Sequence, residues 1–436
     1  MLTVFLSQRE CMLEGLKAGQ PIRVQAGTAQ TEAVLKIAEE HQVKPGLSPA
    51  LQTELHWPKG IGYQLRYSAE KACLLVGPLL GILAHRGGKK SSWGPHIRET
   101  QRYAHRRNVV TVVFSPRDIC WEEGTVQGTT LGARGWTRQT FPIPKVIFNR
   151  IFSRKTENIP DFVECKARLQ TIPGLVLYNP GYLDKWQTHQ YLLHHPAAKA
   201  LLPETIVLHR PEEIWPLVNK HRIVYVKPVH GSQGYGIYRI SRRASGNFSM
   251  QMRGTSVQSG QGYSKEVVEK RLRTLMGKRT YVAQQGLRLA TIKGAPFDLR
   301  LLMQKDGKGV WQQTKAFGRV APPGMFTSNL SRGGTAMGLR HTLRVASYLR
   351  RRTRGGIIKE LRHWGRLLPQ IVEEATGKVY GELGLDLALD HRGRIWLIEI
   401  NSKPHKRLQT EEGNPVEVRQ SLERPILFGK YLDGFA

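Results

Sequence analysis

One segment of the chain places two carboxylates so close together that it limits what this sequence can fold into. Residues 384–401 read as a strand, a four-residue turn and a second strand, because apolar residues alternate with polar ones on both sides of a turn that contains glycine. If Asp390 faces Ile395 across this hairpin, Asp386 faces Glu399. Facing like charges destabilise a sheet unless something neutralises them.

The oxygen-bearing side chains on this face are the ligands that a magnesium ion prefers. Asn401 follows Glu399 by two residues, so the pleat puts it on the same face as Glu399 and Asp386. Mg²⁺ takes one or two carboxylates together with substrate phosphates. The alternative is an edge hairpin with solvated polar residues. Buried carboxylates need partners, and five apolar neighbours predict a buried hairpin: Leu387, Leu389, Trp396, Ile398 and Ile400.

A second segment, at residues 224–237, ends a strand with Lys227 and continues into a glycine-rich stretch. That stretch contains Gly231, Ser232, Gly234 and Gly236. Glycines let backbone amides approach phosphate oxygens, and the serine can add a hydroxyl. The stretch is neither a P-loop, since no Gly-Lys-Ser/Thr follows, nor a dinucleotide-binding fingerprint, since a strand comes next. It predicts a flap over phosphates, with a glycine-rich turn of no function as the alternative.

A third segment combines acidic and basic side chains on one strand. Asp298 and Arg300 alternate with apolar residues and therefore share a face. An arginine there can stabilise charge on a transferring phosphoryl group, and the alternative is an ion pair within the strand. Lys315 and Arg319 precede a long loop, 318–338, that is rich in Gly, Pro, Ser and Asn. They are candidate phosphate or substrate contacts or, equally, solvated cations.

The chain of 436 residues is too long for a single core and predicts several domains. Short alternating runs, such as those at 22–25 and 63–67, predict a small β-rich domain over 1–83. Three later apolar runs, 108–115, 146–149 and 175–178, separated by helical stretches, predict an α/β domain with a mainly parallel sheet over 84–180. Residues 181–436 would form a third domain, with a first lobe at 181–282 and a second at 283–436. The spacing of apolar residues over 357–375 predicts a long helix before the hairpin.

The charge is the unusual feature of the composition. The chain has 66 Lys and Arg against 34 Asp and Glu, a net charge of +32, which predicts attraction to polyanions such as an acidic peptide. The cysteines are Cys11, Cys73, Cys120 and Cys165. Their wide spacing favours reduced thiols over a zinc site or a disulfide framework. The N-terminus does not read as a signal peptide and no apolar run is long enough to span a membrane, so we expect a soluble cytoplasmic protein.

The order of these segments resembles the ATP-grasp superfamily over roughly residues 180–410. The resemblance implies that Lys185 lies on the α-phosphate side, that Lys227 contacts the α- and β-phosphates, and that the glycine flap covers the triphosphate. It also makes Asp386, Glu399 and Asn401 the ligands of the metal, with two Mg²⁺ ions expected and Mn²⁺ as a substitute.

The same resemblance makes 281–287 the linker between two lobes, whose backbone would hold adenine. The nucleotide contacts implied there are Gln284, Gln285, Gly286 and Leu287. The family usually has a glutamate in this linker that contacts the ribose or adenine, and this chain departs from that pattern with glutamines.

Other motifs, which are less specific, resemble those of a narrower group, the YheC/YheD endospore coat-associated proteins. These motifs are Val76–Ile82, Val113–Arg117, Pro142–Arg150 and Trp186–His189. The resemblance implies a spore-forming bacterium and a location in the cytoplasm or at the spore coat.

The expected fold is therefore α/β: an ATP-grasp domain preceded by a small α/β pre-ATP-grasp domain and a β-rich region. The expected activity is an ATP-dependent carboxylate–amine ligase that acts through an acylphosphate on a small molecule or a peptide, with Arg300, Lys315 and Arg319 as catalytic residues. A non-catalytic nucleotide-binding protein of the spore coat is the alternative. Nucleic acid is not a favoured partner, since basic residues are not interleaved with aromatic ones, and the protein-kinase motifs are absent.

Overall fold

The computed structural model shows a mixed α/β chain whose strands form four sheets in chain order. The structure describes the residues 1–38, 45–85, 93–133, 135–229, 236–252, 262–277, 279–322, 333–347, 352–404 and 414–436. Within those ranges, no helix is both long enough and apolar enough to cross a membrane.

The first sheet has the order β4-β1-β3-β2-β6-β5. Its strands are β1 (Thr3–Leu6), β2 (Pro21–Ala26), β3 (Ala29–Ile37), β4 (Gly46–Leu47), β5 (Gln64–Ser68) and β6 (Cys73–Gly77), and its helices are α1 (Gln8–Leu13) and α2 (Pro49–Glu54). The strands predicted from alternating residues are confirmed as β2 and β5.

The second sheet has the order β11-β10-β8-β7-β12-β13, with β9 beside β10. Its strands are β7 (Leu79–Leu83), β8 (Val110–Phe114), β9 (Ile119–Cys120), β10 (Thr125–Gly132), β11 (Gly135–Pro142), β12 (Val146–Asn149) and β13 (Val176–Tyr178), and its helices are α3 (Pro95–Arg106), α4 (Arg154–Glu157) and α5 (Pro160–Gln170). The predicted parallel core is confirmed for β8, β7, β12 and β13. The antiparallel β10–β11 hairpin was not predicted.

The third sheet is antiparallel, with the order β14-β18-β15-β16-β17. Its strands are β14 (Thr205–Leu208), β15 (Ile223–Pro228), β16 (Tyr238–Arg242), β17 (Phe248–Met252) and β18 (Tyr281–Gln285). The helices in this part of the chain are α6 (Lys185–His194), α7 (Pro196–Lys199), α8 (Trp215–His221) and α9 (Lys265–Met276). Val224 and Val226 pack in one core with residues of α8 and α9. Because side chains alternate along a strand, Lys227 lies on the opposite face.

The fourth sheet is also antiparallel, with the order β22-β21-β20-β23-β24 and β19 beside β20. Its strands are β19 (Thr291–Ile292), β20 (Ala295–Lys305), β21 (Trp311–Val320), β22 (Thr335–Gly338), β23 (Glu382–Leu389) and β24 (Ile395–Asn401), and its helices are α10 (Leu339–Val345) and α11 (Arg354–Thr376). The long helix predicted over 357–375 is confirmed as α11. Leu299, Leu301 and Met303 pack in one core with α11, so Asp298 and Arg300 face away from it.

A last helix, α12 (Pro415–Leu432), connects the second and fourth sheets. Ile426 and Phe428 complete an apolar cluster whose other members come from the second sheet and α3. The Tyr178 hydroxyl at the end of β13 donates to the Pro425 carbonyl oxygen at 2.9 Å. The domain boundaries stay a prediction; β7, placed by that prediction in the N-terminal region, pairs inside the second sheet.

Candidate functional site

The two facing carboxylates lie on the fourth sheet as predicted, although the register behind the prediction is wrong by one residue. Asp386 faces Glu399 across the β23–β24 hairpin, but it is Leu389, not Asp390, that faces Ile395. An irregularity in the pairing directly after Asp386 restores the expected partner. An extra residue in one strand shifts the register in this way.

Arginines neutralise Asp386. Arg300 lies opposite Asp386 on β20 and donates through Nε and Nη2 to both carboxylate oxygens, with the Nη2 bond at 2.8 Å. Nη2 of Arg319 lies 3.2 Å from the same carboxylate. Burial would raise the pKa of Asp386, but the two arginines outweigh that effect and hold the pKa below its usual value.

Arg319 also links Asp386 to a second carboxylate. Its Nε and Nη2 donate to the two oxygens of Asp298 at 2.6 and 2.8 Å. Burial opposes the charge on Arg319, yet Asp386 and Asp298 raise the pKa of its guanidinium above the usual value. The alternative that Asp298 and Arg300 pair within one strand is wrong, because each finds its partner on a neighbouring strand. The side chains form the chain Asp298–Arg319–Asp386–Arg300.

Glu399 has a looser environment than Asp386. Nζ of Lys185 lies 3.7 Å from its carboxylate, and 28% of the Glu399 side chain is exposed. Lys185 is the first residue of α6, which begins there because the Asp184 side chain accepts hydrogen bonds from the backbone N–H groups of Trp186 and Gln187. This helix start therefore brings a cation to the carboxylate on β24.

The donor set on this face fits a divalent cation that shares its shell with a ligand. Asn401 is half-buried and faces Gly384 at the end of the hairpin. Asp386, Glu399 and Asn401 offer two carboxylates and one amide, and Mg²⁺ fills the remaining positions with water or phosphate oxygens. In the described residues, no group of three His, Cys, Asp or Glu side chains could hold a metal without such help.

Lys227 approaches the same place from the third sheet. Its Nζ donates to Oε1 of Gln284 at 2.6 Å, and Nε2 of Gln284 donates to Oγ1 of Thr205 at 3.1 Å. The side chain is half-buried by exposed area, but protein atoms surround its ammonium group. This burial and the nearby Lys185 charge lower the pKa of Lys227 to about 8, and Glu399 partly opposes them. The two lysines and Glu399 are therefore neighbours between the two sheets.

The predicted linker, 281–287, contains Gln284 and continues beyond the end of β18. The backbone N–H of Gln285 donates to the Glu204 carbonyl oxygen at 2.8 Å, and that of Gly286 donates to the Ile223 carbonyl oxygen at 2.8 Å. A Cβ at Gly286 would lie 2.4 Å from Cγ2 of Ile223, so only glycine fits there. Leu287 comes next and is half-buried.

Lys315 lies one row along the sheet from Asp386. The β-pairing aligns Lys315 with Leu302, then Gly384, then Asn401. The Lys315 side chain is buried, and its charge lowers the pKa of Glu417 at the start of α12, although burial raises that pKa overall.

The flap is the least described part of the candidate site. Gly236 is described and has a φ of 70°, a left-handed conformation that favours glycine. Gly231, Ser232 and Gly234 lie outside the described residues, as do residues 323–332 of the predicted long loop.

Sequence reasoning missed two contributions to this site. It did not single out Thr205, which orients Gln284, or the pairing of Asp386 with two arginines. No local pattern could have indicated them, because both contacts join segments far apart in the chain.

The chain matches a family model described as "YheC/D like ATP-grasp" over residues 174–432. It is similar to the endospore coat-associated proteins YheD and YheC of Bacillus subtilis. YheD is 28% identical over 297 residues, which are 68% of this chain and 64% of YheD. YheC is 25% identical over 297 residues, which are 67% of this chain and 80% of YheC. The chain thus spans less than two thirds of the length of YheD.

Solved structures with lower sequence identity include a synthetase and a ligase. D-cycloserine synthetase DcsG aligns with 81% of this chain and 98% of its own, at 12% identity and a TM-score of 0.46. The VanG D-Ala:D-Ser ligase of Enterococcus faecalis aligns with 81% of this chain and 99% of its own, at 10% identity and a TM-score of 0.45. The family match covers more than half of the chain and includes both sheets of the site. The predicted α/β ATP-grasp fold is confirmed, and this chain belongs to the YheC/D-like ATP-grasp family.

Proposed function

We propose that the chain binds Mg-ATP between the third and fourth sheets and uses it to join a carboxylate to an amine. The observation that supports this most strongly is the convergence of Lys185 and Lys227 on Glu399, beside Asp386. Two cations that share one carboxylate leave positive charge for a polyphosphate, and the partly exposed Glu399 leaves oxygens for a metal ion. Membership of the ATP-grasp family supports the same choice.

Each part of the site has a proposed role in holding the nucleotide. Lys185 and Lys227 bind the phosphates, and the backbone of 284–287 faces the adenine. The flap residues proposed to cover the triphosphate are Gly231, Ser232, Gly234 and Gly236. Asp386, Glu399 and Asn401 hold Mg²⁺, proposed as two ions with Mn²⁺ as a substitute; the metal, when bound, offsets charge on the phosphate oxygens.

The proposed reaction has two steps that balance without another reactant. A substrate carboxylate oxygen attacks the γ-phosphorus, which forms an acylphosphate and releases ADP. An amine then attacks the acyl carbon, which forms the amide and releases phosphate. Arg300 and Arg319 carry positive charge beside Asp386 and can stabilise the transferring phosphoryl group, with Lys315 one row further along.

The proposed substrate class rests on the charge of the chain, and the proposed cellular setting rests on the relatives. A net charge of +32 favours an acidic acceptor, such as a glutamate-rich peptide. The names of the B. subtilis relatives suggest a role connected with the endospore coat, and we propose action in the cytoplasm of a sporulating cell or at the coat.

One observation favours a second candidate, a nucleotide-binding coat protein without turnover. Both oxygens of Asp386 accept hydrogen bonds from Arg300, and Arg319 lies beside them, so these oxygens already have partners before any metal binds. A protein that uses ATP only as a structural ligand could keep this arrangement.

Phosphate release separates the two candidates. The purified chain, supplied with Mg-ATP and a panel of amino acids and glutamate-rich peptides, should release ADP and phosphate only when both a carboxylate and an amine are present. Mass spectrometry should then find the condensed product. Lys227→Ala and Glu399→Ala are the inactive controls. Tight Mg-ATP binding with no phosphate release over the whole panel would instead support the coat protein.

A further inference from the structure

The metal-ligand strand β24 ends in a buried polar junction with the second sheet. Directly after Asn401, the Ser402 backbone carbonyl accepts a hydrogen bond from Nδ2 of Asn179 at 2.6 Å. The Ser402 hydroxyl donates to the Gly181 carbonyl oxygen at 2.8 Å and accepts from the backbone N–H of Leu183 at 3.0 Å. Asn179 follows β13, so the end of β24 is fixed by the second sheet.

The next residue, Lys403, forms a buried ion pair across the same junction. Its Nζ lies 2.5 Å from Oε1 of Glu157, the last residue of α4, and donates to the Ile151 carbonyl oxygen at 3.2 Å. Only 1% of the Lys403 side chain and 4% of the Glu157 side chain are exposed. Asn149, at the end of β12, donates to the same Glu157 oxygen at 2.8 Å.

The neighbouring strand β23 is held from the same side. Oδ1 of Asn179 accepts a hydrogen bond from the backbone N–H of Gly381 at 2.9 Å, and its Nδ2 donates to the Glu382 carbonyl oxygen at 2.8 Å. Pro404 returns over the sheet, and a Cβ built on Gly384 would lie 3.1 Å from Cβ of Pro404. The second sheet therefore contacts both strands that carry the proposed metal ligands, at the start of β23 and directly after the end of β24.

Stability alone does not account for a buried ion pair in this position. Removing two charges from water costs free energy that their attraction often fails to recover, and apolar replacements of similar size are commonly as stable. The best-attested use of such a pair is to specify one arrangement of the elements that it joins. Here it joins α4 of the second sheet's region to the residues that follow Glu399 and Asn401.

We propose that the Lys403–Glu157 ion pair positions Glu399 and Asn401 for the metal, so that the second sheet sets how tightly the site holds Mg²⁺. Lys403 and Glu157 are positioning residues, because neither belongs to the proposed nucleotide contacts or metal ligands. The proposal rests on the proposed Mg-ATP site and adds to it a dependence on a region outside the two ATP-binding sheets.

The test compares ATP binding with and without Mg²⁺ in the full chain, by isothermal titration calorimetry. The main variant is the double change Lys403→Met with Glu157→Gln, which removes both charges of the ion pair together and leaves only Lys166, whose side chain is 16% exposed, without its carboxylate. It should need about tenfold more Mg²⁺ for tight ATP binding, as is typical when a group that orients a metal ligand is lost. Binding of ATP in excess chelator should stay within about twofold of the native value, since Lys185 and Lys227 are untouched.

Lys166→Met is the matched control. Nζ of Lys166 lies 3.3 Å from the same Glu157 oxygen, but Lys166 belongs to α5 and its contact does not cross the junction. This variant should keep the native Mg²⁺ requirement. Glu157→Asp gives a milder version that keeps both charges and should raise the requirement about threefold. It keeps the test decisive if the double variant does not fold.

Three results would overturn the proposal. The first is a native Mg²⁺ requirement in both the double variant and Glu157→Asp. The second is an equal loss of ATP binding with and without Mg²⁺, which would show a general structural role. In these two cases the proposed Mg-ATP site would stand. The third is a native chain that binds no ATP at all, in which case the proposed function fails as well.

Discussion

The two sheets around the candidate site hold their cations in opposite ways. Lys227 on the third sheet donates to an amide, Gln284, and lies 5.8 Å from the Tyr225 ring, and its pKa falls to about 8. Arg319 on the fourth sheet lies between the carboxylates of Asp298 and Asp386, and its pKa rises. Both side chains are largely enclosed, so the opposite pKa shifts of Lys227 and Arg319 come from their different partners.

This difference indicates which of the two sheets is better able to bind an anion. The fourth sheet is close to electrically balanced, because Arg300 and Arg319 are matched by Asp298 and Asp386. The third sheet keeps a cation without a carboxylate on its own strands. A polyphosphate gains most by approaching Lys227, whereas a metal ion gains most from the carboxylates opposite.

The largest effect should come from removing Asp386, the carboxylate of the fourth sheet that belongs to the proposed metal ligands. Asp386→Asn should raise the Mg²⁺ concentration needed for ATP binding on the order of 100-fold, because a metal ligand and its charge are lost. Asp298→Asn is the control, since it also removes a carboxylate from Arg319 but lies outside the proposed metal set. Both variants should unfold at lower temperature, because each leaves a buried arginine underpaired. Equal Mg²⁺ requirements in calorimetry would mean that both carboxylates serve only the arginines.

Lys227→Met should change binding and stability in opposite directions. ATP affinity should fall about 30-fold, since a hydrogen bond to a charged group contributes about 2 kcal/mol. The free energy of unfolding at pH 7 should rise by about 1 kcal/mol after allowance for solvent screening, because a poorly partnered ammonium is removed.

The pH dependence of Lys227→Met follows from the lowered pKa. Between about pH 8 and the ordinary lysine value of 10.5, the unfolded chain binds more protons at Lys227 than the folded chain does. The native chain therefore regains stability as the pH rises through that window, and its deficit relative to the variant narrows. Chemical denaturation at several pH values measures this. The control is Lys220→Met, which removes an exposed partner of Glu204 and should change neither the ATP affinity nor the free energy of unfolding. A lower free energy of unfolding in Lys227→Met would contradict the interpretation that Lys227 is an underpaired cation.

The smallest effect should come from making the third sheet resemble the fourth. Gln284→Glu gives Lys227 a carboxylate partner, which should raise its pKa and weaken ATP binding about threefold, as phosphate then competes with a fixed anion. Proton uptake on ATP binding near pH 8, measured in buffers of different ionisation enthalpy, should disappear. Gln285→Glu is the control, since the side-chain oxygen of Gln285 accepts from the backbone N–H of Glu204 instead. Tighter ATP binding in Gln284→Glu would show that the residue contacts the nucleotide directly.

Local patterns predicted what lies along each strand, and contacts between distant segments escaped them. A period of two residues was enough to place Asp386, Glu399 and Asn401 on one face, even though a pairing irregularity changed the register beside them. That Asp386 would meet Arg300 and Arg319 depends on the order of β21, β20 and β23, which no local pattern encodes. The sequence therefore predicted that the charge is neutralised but identified only a metal as the agent.

The same distinction holds for the fold. Glycine-rich turns and apolar spacing indicated the hairpin and α11, because the residues that form each of these elements are close together in the sequence. The packing of α12 against the second sheet, and the ion pair between Lys403 and Glu157, join segments separated by most of the chain. Neither could be predicted without the three-dimensional arrangement.

The position of α12 also bears on how the protein is made. The second sheet is complete once the ribosome has passed Tyr178, but Ile426 and Phe428, which finish the apolar cluster on Leu80 and Phe148, are synthesised about 250 residues later. Until then we expect the apolar surface of the second sheet to face water or a chaperone. We therefore expect folding intermediates of the nascent chain that lack α12 to be prone to aggregation, and the docking of α12 to follow the assembly of the second sheet.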